Sequence, residues 1–186
     1  MLLMPAALLF QKCYTPQMKQ LTLLLIALLF AGGCSSQPKS LPYPLEIDSA
    51  GIASITSKTP FKVSAIGSKL LGFELQQFTF FKTGVAHPVI RVTHNREEMM
   101  LIHPSADREH IAFITVTSAK IAHQYGRIGT SFEVFQTYRP QCTAHQKELL
   151  TCHLPEVPSL EYLFENQTLA EIIWHTSPQK LQNTLK

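Results

Sequence analysis

The stretch Val89-Ile-Arg-Val-Thr-His-Asn-Arg-Glu-Glu-Met-Met-Leu-Ile-His103 decides the fold. Val89–His94 and Glu97–His103 read as two strands, and Asn95-Arg96 supplies the short turn between them. A third segment, Glu109–Thr117, follows the turn-forming Pro104–Arg108. In it Ile111, Phe113 and Thr115 alternate with Ala112, Ile114 and Val116, as in a strand covered on one or both faces. Three strands joined by short turns make an antiparallel meander.

Upstream, Gly51-Ile-Ala-Ser-Ile-Thr56 reads as a first strand. Thr59 with Pro60 predicts a helix start, a capping hydroxyl followed by proline at the first helical position. Phe61, Val63, Ala65 and Ile66 give that helix an apolar side, and Gly72 can stop it. Phe73–Phe81 is a further strand, with Phe78 and Phe80 on one face.

Downstream, Gly126-Arg-Ile-Gly129 breaks the pattern. Thr130-Ser-Phe-Glu133 then has the form of a capping box, opening a short helix with Phe132, Phe135 and Tyr138 on one side. Arg139-Pro140 ends it. Glu148–His153, Ser159–Phe164 and Ala170–His175 read as closing strands. The whole predicts an α+β fold: a mainly antiparallel sheet with two short helices, in a single domain. Ile52-Ala-x-Ile-Thr56 is echoed by Ile111-Ala-x-Ile-Thr115, a five-residue similarity close to chance in β-rich sequence.

The N-terminal part carries an address. Met18-Lys-Gln precedes an apolar core that runs through Ala-Gly-Gly into Cys34, the layout of a secretory signal with a lipidation site. Ala31 stands where leucine is commonest in such boxes. The uncharged run Leu21–Gly33 has 13 residues. A transmembrane helix, the alternative, needs about 20. Residues 1–33 are therefore read as signal peptide, with translation starting at Met18 or, alternatively, a long two-part signal. Ser35 and Ser36 after the cysteine, with no adjacent aspartate, favour the outer membrane. Residues 34–45, rich in Ser and Pro, read as a lipidated tether. Residues 46–177 read as the domain, and 178–186 as a polar tail.

Processing would leave 153 residues, enough for one core and too few for two. Loss of Lys12 and Lys19 takes the basic residues from 16 to 14 against 13 acidic, and the formal charge from +3 to +1. That balance excludes a basic tract for nucleic acid. Of four cysteines, Cys142 and Cys152 remain after processing and acylation. In an exported chain an even remainder reads as a disulfide, and two buried free thiols are the alternative.

Catalytic patterns do not assemble. Ser36-Gln-Pro-Lys39 and Lys82-Thr83-Gly84 imitate two motifs of penicillin-recognising enzymes. However, the serine lies in a proline-broken tether and the intervening S-D-N is missing. There is no G-x-S-x-G and no H-E-x-x-H. The eight histidines never fall at i, i+4 spacing. With a two-residue turn at Asn95-Arg96, His94 faces Glu97 and His103 faces Pro88, so the meander does not gather histidines, and they read as scattered over the surface. Gly126-x-x-Gly129 is read as a turn needing positive φ rather than an anion cradle. No catalytic residue, cofactor or metal is expected.

Gly51–Pro60, Ile114-Thr-Val-Thr-Ser118, Gly126–Phe132, Tyr138, Cys142, Cys152, Tyr162-Leu-Phe164 and Glu171-Ile-Ile-Trp174 together resemble the RpoE-regulated, YfeY-like lipoprotein family of enterobacteria. The resemblance spans most of the domain and is weakest over Gly72–His110. It implies a domain of unknown function in the cell envelope, linked by name to envelope stress, with Cys34 as lipid site and Cys142–Cys152 as bridge. The expectation is a non-catalytic outer-membrane lipoprotein, anchored facing the periplasm, that binds an envelope protein. The alternative is a periplasmic hydrolase acting on cell wall or lipid. A shallow surface with an exposed apolar strip would favour the first, and a clustered Ser/His/Asp or His/Glu constellation in a cleft the second.

Overall fold

The computed structural model describes residues 41–82, 84–146 and 148–177. The expected signal peptide, Cys34, most of the tether, the S-x-x-K match and the polar tail lie outside the described residues. No helix among the described residues is long and apolar enough to cross a membrane.

Eight strands form one antiparallel sheet: β4 (Glu74–Lys82), β5 (Val85–His94), β6 (Glu97–Pro104), β7 (Ile111–Val116), β9 (Gln141–Gln146), β10 (Leu149–His153), β11 (Leu160–Glu165) and β12 (Thr168–His175). Their order is β4-β5-β6-β7-β12-β11-β10-β9, two meanders joined where β7 pairs with β12. Around the sheet lie the short strands β1 (Leu45–Glu46), β2 (Gly51–Ile52), β3 (Ile55–Thr56) and β8 (Ile121–Ala122). The helices are α1 (Val63–Gly67) and α2 (Phe132–Phe135), the latter continued by a 3-10 turn at Gln136–Tyr138. The fold is a single mainly-sheet domain with few helices.

Because alternate residues of a strand face opposite ways, register assigns each row to a face. One row runs Ile90, Ile102, Ile114, Trp174, Leu160 and the next Val92, Met100, Val116, Ile172, Tyr162, Cys152. All eleven are buried, under a cover of Leu45, Ile47, Ile52, Ile55, Ile66, Leu70, Ile121 and Phe135. Helices of four and five residues cannot hold themselves together in water. What fixes them is burial: Phe135 lies with its ring centroid 4.7 Å from Tyr162 and 5.0 Å from Phe164.

Several local expectations change. Gly51–Thr56 is not one strand but a tight hairpin, β2 and β3 turning at Ala53 (φ 53°). Its echo at Ile111–Thr115 is a straight strand, so the five-residue repeat has no structural counterpart. The first helix starts three residues later than Thr59-Pro60 suggests. Thr59 Oγ1 accepts the Thr56 N–H, and Pro60 bridges to His110 instead. The second helix has Ser131 as N-cap without a side-chain bond, while Thr130 Oγ1 turns back to accept the Arg127 N–H. Thr130 thus closes the Gly126–Gly129 turn, whose glycines have φ of 153° and 93°.

A bulge at Met99 shifts the β5–β6 register, so Ile90 meets Ile102 where the turn alone would give Leu101. Met99 and Met100 are consecutive and both buried as a result. Strand β9 was not expected. Its sequence, Gln-Cys-Thr-Ala-His-Gln, lacks any apolar alternation.

Candidate functional site

Three features of the described surface can do chemistry or binding. The first is an arm. β5 pairs with β6 only from Ile90 onward, whereas its pairing with β4 continues to Lys82↔Val85. Phe78–Lys82 and Val85–Val89 therefore form a two-stranded ribbon, roughly 17 Å long at about 3.4 Å per residue. Arg108 Nη2 donates to the Ala86 carbonyl at 3.2 Å and braces it from the side. Phe81 is 73% exposed and Val85 54%, and Phe80 stacks on His87 at a centroid distance of 5.3 Å. A guanidinium covers the base, Arg91 standing 4.9 Å from the Phe78 ring centroid. β4 is also an edge strand, with no strand on its other side among the described residues.

The second feature lies on the open face of the sheet, opposite the core. The row Arg91, Leu101, Thr115, Ile173, Glu161, His153 crosses six strands there. His153 is directly opposite Glu161, and His175 Nε2 lies 3.1 Å from Glu161 Oε2. The His175 hydrogen bond, opposed by burial and aided by the charges of His175, His153 and His145, holds the Glu161 carboxyl below its ordinary range. On β9, His145 Nε2 is 3.0 Å from Thr151 Oγ1. Beyond them His103 stacks on Phe113 at 4.1 Å, and burial pushes its pKa down to about 4.

The third is a cavity of about 380 Å³ at the end of β12, lined by Ser49, Thr56, Ser57, Lys58, Ser159 and His175 among others. It is open to solvent, and its lining mixes hydroxyl-bearing residues with a larger apolar share. Ser159 Oγ and Trp174 Nε1 both donate to the Ser49 carbonyl, so that hydroxyl is already engaged.

Cys142 and Cys152 are directly paired across β9 and β10 and joined, with S–S 2.11 Å and a sequence separation of 10. The bridge sits on the core side, with Cys152 buried, so its place is structural. Lys82 and Gly84 of the K-T-G match flank the arm's turn, and Thr83 lies outside the described residues.

Sequence reasoning missed the first two features for one reason: both depend on register. Phe78 and Phe80 look like core until β6 is seen to stop short. The adjacent Phe80-Phe81 pair was the available signal, because neighbouring strand residues face opposite ways and a half-covered strand buries only one. The histidines are not all scattered. The first meander leaves them apart, but the second brings His153 and His175 to either side of Glu161.

No protein-family model matches the chain, and no curated protein matches it. Among solved structures, the chain is similar to the uncharacterized protein YfeY from Escherichia coli, known from a crystal structure. The TM-score is 0.55 and the identity 18%, over 72% of this chain and 99% of that one. The chain is YfeY-like in fold, and the resemblance drawn from its sequence holds at the level of architecture.

Proposed function

We propose that the chain is a lipid-anchored, non-catalytic binding module of the bacterial envelope, tethered through Cys34 and docking an envelope protein through the β4–β5 arm. The observation that carries this reading is the arm itself. A two-stranded ribbon is marginal in water by itself, and this one ends in exposed Phe81 and Val85. Its long edge belongs to the nine-residue β4, which among the described residues has no strand on its outer side and so offers backbone donors and acceptors there. Those groups match an extended strand of a protein partner, and the apolar tip would anchor one of its side chains. A bilayer surface has no such strand to offer.

The reading places the domain on the outer membrane facing the periplasm, with the Ser/Pro-rich segment as spacer. The near-neutral charge after processing supports a protein partner over a polyanion. The hydrolase alternative draws support from the Glu161–His175 pair beside the cavity that carries Ser49, Ser57 and Ser159. Among the described residues no hydroxyl is hydrogen-bonded to His175, which is why the docking reading is preferred.

The test is chemical crosslinking in intact cells followed by affinity purification of wild type and Cys34→Ala. Recovery of one envelope protein with wild type, lost with Cys34→Ala, is the expected result. Membrane fractionation of Cys34→Ala indistinguishable from wild type would overturn the anchor.

A further inference from the structure

We infer that His153, Glu161 and His175 form a binding site for a divalent transition-metal ion, zinc by its chemistry, on the open face of the sheet. The inference goes beyond the docking role and stands or falls separately from it. Two imidazoles and one carboxylate are a recurrent ligand set for zinc, with water in the fourth position of a tetrahedron.

Three adjacent strands deliver the three groups to one face. Glu161 on β11 is flanked by His153, its directly opposed partner on β10, and by His175 on β12. His175 Nε2 and Glu161 Oε2 already stand 3.1 Å apart. In a tetrahedral site with metal–ligand bonds of about 2.0–2.1 Å, neighbouring donors are about 3.3 Å apart. Exchanging the shared proton for an ion therefore asks little of this pair. Directly opposed residues have Cβ atoms about 4.5–5.5 Å apart. As the side chains stand, the three donor groups do not all lie within 4.8 Å of one another, and His153 joins the carboxylate by rotation about its side-chain bonds.

The surroundings favour the site. The Glu161 and His175 side chains are 19% and 25% exposed, half-withdrawn from water yet open on one side. The Cys142–Cys152 bridge locks β9 to β10 one residue from His153, on the opposite face, and so steadies the strand that presents it. His145 is held by Thr151 and is left outside the ligand set.

A tighter cluster, Asp107, Glu109 and His110, brings its donor atoms within 4.8 Å of one another. All three are exposed in the β6–β7 turn, and the Asp107 carboxylate already accepts from Ser105 Oγ and the Glu109 N–H. These bonds explain the cluster as a loop staple.

The test is titration of the metal-stripped full chain with Zn²⁺ by calorimetry and with Co²⁺ by visible absorption. Wild type and Asp107→Asn should each bind one equivalent, with the intense Co²⁺ bands of a tetrahedral site. His175→Gln and His153→Gln should each weaken binding by at least about tenfold. Urea midpoints of the same samples separate loss of folding from loss of binding, and His153→Gln decides if His175→Gln fails to fold. Absence of saturable binding in wild type, loss of binding in Asp107→Asn, or unchanged affinity in His153→Gln would each overturn the site.

Discussion

His123 Nδ1 lies 3.1 Å from Tyr162 Oη and 3.4 Å from the Tyr125 amide nitrogen. One ring nitrogen facing two donors accepts, so the imidazole is neutral with its proton on Nε2. Burial pushes His123 down to about 4 and Tyr162 up. The contact ties β11 to the chain after β8. Tyr162→Phe should cost about 1 kcal/mol, read from the urea midpoint at pH 7.

Acid should unfold the domain early. His123 and His103 are both held near 4 by burial, against an ordinary value of 6.5. The unfolded chain therefore binds protons that the folded chain refuses, and stability falls as pH drops from 6.5 towards 4. Glu161, held low, adds its loss only below the ordinary carboxylate value of 4.5. Between 6.5 and 4.5 the two histidines act against Glu171 alone among the carboxylates with a shifted value, since burial raises its carboxyl and it gains stability as the pH falls. Over the full descent the two together should remove on the order of a few kcal/mol, discounted for partial exposure. His103→Gln with His123→Gln should flatten the urea midpoint in that interval; an equally steep fall would refute the assignment.

Reduction should be felt. The bridge closes a short loop between strands that are already paired, with Cys142 and Cys152 separated by 10 residues. The chain-entropy model gives about 3 kcal/mol for such a loop. Cys142→Ala with Cys152→Ala should lower the unfolding free energy by that amount and leave dithiothreitol without further effect.

Gly51 should not tolerate a side chain. Its φ is 153°, and a Cβ there would meet the Ile55 carbonyl oxygen at 1.9 Å, backbone against backbone. Gly51→Ala should open the β2–β3 hairpin and cost roughly 2–3 kcal/mol. A midpoint within error of wild type would mean the hairpin is looser than described.

What the sequence made legible follows its strongest patterns. The strands from Val89 to Val116 were readable because turn residues bound each one and apolar alternation runs through most of their length, broken at the Met99 bulge. Trp174, Tyr162 and Phe164 fell on core faces as strand period requires. The helix starts failed because Thr59 and Thr130 spend their hydroxyls on turns, which the same residue types serve equally well. β9 escaped because its pairing rests on backbone and on one cystine; Cys142 opposite Cys152 was the signal that a hairpin joins them. The arm and the His153–Glu161–His175 group were illegible for a deeper reason. Both arise from where one strand ends relative to another, and a one-residue bulge such as that at Met99 resets that relationship.

The arm's apolar tip should be dispensable for folding. Phe81 is 73% exposed, so Phe81→Glu should change stability by no more than about 0.5 kcal/mol. The same change should abolish recovery of the crosslinked envelope protein, because it places a charge where the docking contact is apolar.

The most direct measurement of the docking claim is photo-crosslinking in living cells, with a benzophenone side chain at position 81 and, as control, at the exposed Glu133 of α2. The account predicts one discrete protein adduct from position 81 and none from 133, and the loss of that adduct in a Cys34→Ala background. No adduct at 81, or the same adduct from both positions, would contradict it.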